Sequence, residues 1–538
     1  MTRRTKITII SLSVVLIVIL ILSGGLSATL SRVALREVNS ALASIPECEA
    51  SIGDIRISLL TGTATIDDLR FTHNGPAIKG SAHNPGVEVH VEHIEVGHVF
   101  FYKLIHKEAL VYSIRVIHPE MELWLDEAHP ELSFPEFKQD STVKNPIAPL
   151  KCAELMNLYI DGADMKMHST RTSLDLEVED CSLSLCDLAY DTAFHYCDSL
   201  YSIALNRASI LLPDSSMRIE TNDLSNMDGG PLRIGKTLIA HTMGRTQLGE
   251  MVQEPTTWIK MRMDSLKTSS FPLIRKALTQ DYTLPRVEVF FEHMDILRDL
   301  RYPAKEPFPM VQEAFMSINP IFLVQEADVH IPKIDIGLMS TDINCGTLQI
   351  RHIRAKAMNI TNRRNAIMRL KGSCPIEKGK MHIEMNFTIN KNCDFETRIH
   401  AQNVNASFLN TLVRPLVGMT CDLPIDTFDT HYSGNKTEAA GQFRLLYHGL
   451  EVKVHKEDNI PYKIVTRNAD VINSAVHTLL PKSNPSKAHS QPRAYNTQWK
   501  RNVWMPTELY LFGPCIDGVK KTLLPGLYIK DKTKVLDL

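Results

Sequence analysis

The stretch SIGDIRISLLTGTATIDDLRF, residues 51–71, decides the fold. Apolar and polar residues alternate on both sides of Leu59–Gly62, the period of a strand with one buried face. In the second half the alternation slips once. Ala64 and Ile66 are followed by Leu69 and Phe71, so two polar residues stand where one is expected. Writing Φ for an apolar residue, the pattern is Φ-x-Φ-x-x-Φ-x-Φ. In a flat strand the extra residue would send everything after it to the opposite face. The slip must therefore be absorbed, either by a β-bulge that bends the strand and keeps the apolar row on one side, or by a tight turn.

The slip recurs along the chain. It returns at Val89, Val91, Ile94, Val96; at Leu158, Ile160, Ala163, Met165; at Leu176, Val178, Cys181, Leu183; and at Ile203, Leu205, Ala208, Ile210. Val287 to Phe291 followed by Met294 and Ile296 is a variant, and Val329, Ile331, Ile334, Ile336 and Leu348, Ile350, Ile353, Ala355 complete the series. A turn suits Asp161–Gly162, but Glu92–His93, Glu179–Asp180 and Arg351–His352 lack turn chemistry, so long bulged strands are the expectation. The fold class read from this is mainly β with a few helices: an elongated, curved antiparallel sheet with one continuous apolar face. Helical spacing at Ser270–Gln280 and Ala469–Leu480 is too sparse to alternate with the strands, which disfavours a parallel βαβ architecture. The apolar face can close into a sandwich, or curl into a trough left open for a ligand. Its aliphatic lining suits acyl chains as well as it suits ordinary core.

Upstream, residues 7–22 (ITIISLSVVLIVILIL) carry no charge, and the run continued to Leu30 reaches the length of a membrane-crossing helix. Arg3, Arg4 and Lys6 precede it, which keeps the N-terminus cytoplasmic and sends the rest across. A cleaved signal peptide with Leu26-Ser27-Ala28 at its end is the rival, disfavoured by the length of the run. Leu30, Val33, Ala34, Val38, Ala41, Leu42 and Ile45 then follow at steps of three and four, an amphipathic helix that Pro46 stops. The organisation expected is a cytoplasmic 1–6, a transmembrane helix 7–30, a helical extension 31–46, β regions 47–301 and 310–460, and a helical and irregular tail 461–538. The proline-rich stretch 303–309 and the polar stretch 482–498 mark boundaries. Lys500, Arg501, Trp504, Lys520 and Lys521 in the tail read as surface, or as a membrane or partner contact.

Little in the sequence carries covalent chemistry. With 59 basic and 61 acidic residues evenly spread there is no footprint for nucleic acid. Ten cysteines form no CxxC pair. Gly230 to Thr237 (GPLRIGKT) fits the phosphate-loop pattern, but polar turn sequence precedes it and strand-like alternation follows. His90, Glu92, His93 and His98 lie close together without the spacing of a complete metal site. No nucleophile elbow or zinc-hydrolase signature is present. The reading is a protein that is not an enzyme, with no cofactor and no metal. Asn359, Asn386, Asn405 and Asn435 head glycosylation sequons, relevant in a eukaryotic cell.

Ser51 to Phe71 after the N-terminal anchor, with Val87 to Val96 and Ile114 to Leu123, resembles the start of an AsmA-like protein of Gram-negative bacteria, and Ala440 to Val454 is similar to the strands that close such a region. The resemblance covers about residues 1–130 and 340–460. It implies an inner-membrane anchor carrying a periplasmic, taco-like β-groove related to bridge-like lipid transfer proteins, with a role in outer-membrane biogenesis or lipid homeostasis. The expected partners are the membrane, phospholipid acyl chains and other envelope proteins. The groove residues expected are Ile66, Leu69, Phe71, Val89, Val91, Ile94, Val96, Leu158, Ile160, Ile203, Leu205, Ile331, Ile334, Leu348, Ile350 and Ile353. The alternative is an envelope scaffold, or a regulator of outer-membrane protein assembly, built on a dry β-sandwich.

Overall fold

The computed structural model describes residues 24–40, 42–43, 48–100, 108–126, 128–133, 152–190, 194–195, 201–213, 216–227, 230–271, 282–318, 320–341, 344–455, 469–470, 473–474, 479–486 and 490–525. No helix among them is long and apolar enough to cross a membrane; of the segment 7–30 expected to do so, residues 7–23 lie outside them and 24–30 are helical. The helix expected at 270–280 lies largely outside them as well. The protein is mainly β and divides into two compact units, Met1–Thr237 with Phe271–Arg275, and Leu238–Ser270 with Lys276–Leu538.

In the first unit residues 24–40 are helical, followed by β1 (Cys48–Ser58), β2 (Thr63–Asn74), β3 (Gly86–Val99), β4 (Glu108–Leu125), β5 (Cys152–Ser169), β6 (Asp175–Tyr190), β7 (Phe194–His195), β8 (Tyr201–Leu211), β9 (Met217–Met227) and β10 (Leu232–Ile234). The strands pair as antiparallel neighbours, β6 taking both β7 and β8, except that β4 and β5 run parallel. A parallel step needs a connection long enough to return the chain to its starting end, and residues 126–151 supply it. The wholly antiparallel sheet expected from the sequence is thus corrected to a mixed one. Alternation looks the same in either direction, which is why the pattern did not reveal it.

The helical segment guards the outer edge of β1. Asn39 accepts from the Ile52 amide (2.8 Å) and donates to its carbonyl (3.1 Å), while Ser31 Oγ accepts from Ile57 N (2.8 Å) and Ser27 Oγ from Leu59 N (3.1 Å). Side chains at steps of four and eight lie along one helix face, so the helix supplies partners to a strand that would otherwise show bare backbone groups.

The second unit contains β11 (Thr237–His241), α1 (Gln247–Val252), β12 (Thr256–Thr268), β13 (Tyr282–Asp299), α2 (Val311–Met316), β14 (Phe322–Thr341), β15 (Asn344–Thr361), β16 (Ile367–Ile376), β17 (Gly379–Thr388), β18 (Phe395–Asn405), α3 (Asn410–Val417), β19 (Met419–Asp422), β20 (Pro424–Gly434), β21 (Glu438–Tyr447), β22 (Glu451–Val454), β23 (Ala494–Lys500), α4 (Thr507–Leu511) and α5 (Gly513–Leu523). β13 and β14 are again parallel, joined by residues 300–321. Its far strands are closed on one face. Phe443, Leu445 and Tyr447 pack under Cys515, Val519 and Leu523 of α5, and a second cluster gathers Met310, Phe387, Phe395, Tyr432 and Tyr510. Tyr432 Oη donates to the Leu511 carbonyl (2.8 Å) and Tyr510 Oη to that of Asn435 (2.7 Å), so each buried hydroxyl is satisfied. Burial pushes the Tyr447 and Tyr510 phenols up to about 12.

Candidate functional site

The repeated slip occupies one level of the first sheet. Gly53, Asp68, Glu92, His118, Gly162, Asp180, Asn206 and Asp223 fall where the cross-strand pairing skips a residue on consecutive strands. Five of them, Asp68, His118, Gly162, Asp180 and Asp223, have φ between +46° and +67°. Asp, Asn, His and Gly tolerate this left-handed region best, because a short polar side chain bonds locally or no Cβ intrudes. The pairs β1–β2, β2–β3, β3–β4, β6–β8 and β8–β9 keep one register through this level, and only β5–β6 shifts. The bulge expected on each strand, two residues against one, is therefore corrected: neighbouring strands each carry an extra residue at the same height, and together they make a crease. Nor does Asp161–Gly162 form a turn, since β5 runs straight through it.

Because the crease absorbs the extra residue on every strand, the apolar rows stay on one face. One row reads Ile55, Ile66, Ile94, Val116, Ile160, Leu183, Ile203 and Asn226. Beyond the crease Ile52, Leu69, Val91 and Pro119 are in register, as are Ala163, Cys181, Leu205 and Leu224. The next row is Ala50, Phe71, Val89, Met121, Met165, Val178 and Ala208. Val96 and Leu158 stand in a further row with Ala64, Ile114 and Leu185. Residues directly opposite on paired strands share a face. At about 4.8 Å per strand, the rows across β1–β6, β8 and β9 extend roughly 34 Å.

The other face is polar and laced with ion pairs. Arg56 and His93 meet Asp67, Arg70 and His90 meet Asp68, and Arg207 meets Glu179. The His93 hydrogen bond is the chief reason that the Asp67 carboxyl is held below its ordinary range, with burial opposing it and Arg56 assisting. His90 and His93 are thus accounted for by neighbours on this face, the His98 ring meets that of Tyr112 edge-on, and no cluster among the described residues could hold a metal ion.

What distinguishes the first unit is what its apolar face lacks. Val91 is buried at 5% exposure, but Ile66, Leu69, Phe71, Val89, Ile94, Val96, Leu158, Ile160, Ile203 and Leu205 are only half-buried. The four buried apolar clusters among the described residues draw their members from the second unit. In that unit the remaining expected groove residues form the same kind of row: Ile334 with Ile350, Ile331 with Ile353, and Leu348 with Ile336. There the face is partly covered, as Ile350 and Ile353 pack on a cluster of Cys374, Ile376, Ala401 and Val404.

Sequence reasoning missed the contribution of β4. Ile114, Val116, Met121 and Leu123 continue the rows, but Pro119 interrupts the aliphatic pattern at the slip. The phosphate-loop match at 230–237 spans β10 and opens into the strand β11, not into a helix. Cys181, Cys345, Cys374, Cys393, Cys421 and Cys515 form no disulfide. A polar hollow of about 740 Å³ on the second unit is lined by His382, His400, His431, Asp429 and Arg444, with Asp429 paired to His400 and Arg444. In the tail, Trp504, Met505, Leu509, Phe512 and Ile516, on and around α4 and α5, are exposed apolar side chains.

No protein-family model matches this chain, and no curated protein matches it.

One electrostatic feature of the second unit carries a direct expectation. Asp335 lies 2.8 Å from each of Lys333 Nζ, His293 Nε2 and Gln349 Nε2. Burial raises its pKa, but those three partners outweigh it and hold the carboxyl at about 2 against an ordinary 3.8. A folded value below the unfolded one means that the stabilisation is present above about pH 4 and is lost as the pH falls toward 2. Asp335→Asn is expected to flatten the acid limb of stability over that interval in urea unfolding at stepped pH. An acid limb identical to that of the parent would contradict the assignment.

Proposed function

We propose that the protein is a membrane-anchored, periplasmic lipid-binding or lipid-transfer protein whose first-unit apolar face receives phospholipid acyl chains, serving outer-membrane biogenesis or lipid homeostasis. The observation that carries this reading is the set of creased, half-buried aliphatic rows on a sheet whose opposite face is satisfied by ion pairs. Each methylene taken from water onto such a surface contributes about 0.8 kcal/mol, and the rows are longer than an acyl chain, which spans half of the roughly 30 Å bilayer core. The uncharged run 7–22 behind Arg3, Arg4 and Lys6 supports the anchor and its orientation. The likeness of residues 51–71 to AsmA-like proteins points the same way. No covalent step is assigned.

The test is native mass spectrometry of a chain beginning at residue 24, which retains Ser27, Ser31 and Asn39 against β1. Copurified phospholipid is expected. Ile94→Asp with Ile160→Asp places carboxylates among the acyl methylenes at half-exposed positions, at a cost of at least about 1–3 kcal/mol, so occupancy should fall about tenfold or more. A lipid-free parent, or a variant as loaded as the parent, would sink the reading. Closure of the second unit by its own helices favours the alternative of a dry envelope scaffold, and a clean apo mass would support it.

A further inference from the structure

Leu60 and Met227, at 61% and 63% exposure, are the most solvent-exposed large apolar side chains among the described residues of the first unit. Phe100, Tyr112 and Met156 are exposed too. The five are far apart in sequence, yet all lie on the same side of the crease. Leu60 is in the β1–β2 turn and Phe100 follows the end of β3. Tyr112 and Met156 sit near the starts of the parallel β4 and β5, and Met227 ends β9. The opposite end of these strands shows no exposed large apolar side chain among the described residues.

The helical segment starts at this same end. Ser27 bonds to Leu59 N, Leu26 beside it is exposed, and the uncharged run 7–22 comes immediately upstream in sequence. Among the described residues, the remaining exposed large apolar side chains of the unit, Leu30, Val33 and Val38, are on that segment as it leads away. Apolar groups gathered at one end of a sheet mark a surface that is covered in use, and here the chain itself leads from that end into its most lipid-compatible stretch. We propose that this end of the first unit rests on the bilayer surface, with Leu60, Phe100, Tyr112, Met156 and Met227 inserted at the level of the headgroups. The proposal rests on the anchor reading above and adds to it an orientation: the strands stand with the Leu59–Gly62 turn down, and the apolar rows run across them parallel to the bilayer surface.

The test uses the full chain reconstituted into phosphatidylcholine–phosphatidylglycerol vesicles, with and without brominated phosphatidylcholine. Tryptophan is added singly at Leu60→Trp, Met227→Trp, the distal loop site His83→Trp and the half-buried row site Phe71→Trp. The emission added over that of the parent is the readout. Side chains seated about 5–10 Å into the interface should lose roughly half of that emission to the bromines at 60 and 227, with none lost at 83. Equal quenching at 60, 83 and 227, or none at 60 and 227, overturns the proposal. Quenching at 71 reports lipid on the rows independently, so loss at 71 alone would uphold lipid binding and refute the orientation, and loss at 60 and 227 alone would do the reverse.

Discussion

Phe443→Ala is expected to destabilise the second unit by about 3–5 kcal/mol, the cost of emptying a large aromatic site that its surroundings cannot refill. Phe443 is 1% exposed, meets Phe428 edge-on at 5.3 Å between ring centroids, and lies under α5. Collapse into the vacancy is blocked from above. Gly518 lies against the Phe443 ring that the variant removes, but a Cβ at Gly513 would overlap the Trp499 ring, and that contact stays in place and limits how far α5 can settle. The measurement is urea unfolding together with hydrogen exchange read peptide by peptide. Protection should fall in β21, β23 and α5, while β2 and β3 in the other unit keep theirs. Two units allow more than one transition, so the local readout decides. A loss below about 1 kcal/mol would mean that α5 does not pack as described.

Gly162→Val is the corresponding experiment on the crease, with an expected loss of about 2–4 kcal/mol. Gly162 has φ +67°, and an added Cβ would stand 2.6 Å from His118 Nδ1. A β-branched residue there meets both the left-handed penalty and the imidazole of the neighbouring parallel strand. Gly162→Asn separates the two contributions, since asparagine tolerates that backbone region while still carrying a Cβ. The asparagine variant should fall between parent and valine. Valine equal to parent in thermal unfolding would show that the crease at β5 is not held in the conformation described.

The slip that defines the fold was legible in Ile66 and Leu69, Val178 and Cys181, Ile350 and Ile353, because face alternation is a one-dimensional property that survives in the sequence. Its mechanism is written there too, since Asp68, Asp180 and His352, of residue types that tolerate positive φ, stand at the slips. The direction of β5 relative to β4 was not legible, since neither strand's pattern records which end its neighbour starts from. The uneven covering of the apolar face was also hidden. Ile350 and Ile353 look like Ile94 and Ile160 in sequence, and differ because Leu412 of α3 closes on Gly346 and a dry cluster forms beside them. Burial by a distant segment is a tertiary fact, and a repeated local pattern cannot announce it.

The helix laid along β1 has a consequence for how the molecule associates. An open margin of amides and carbonyls is a template that a second copy, a stray extended peptide or a misfolded neighbour can zip onto. Asn39, Ser31 and Ser27 occupy that template, and they belong to the chain itself, so the seal is in place at any concentration of the protein. Fibre-like growth by strand addition is refused at that margin, and removal of the residues before β1 would restore the invitation.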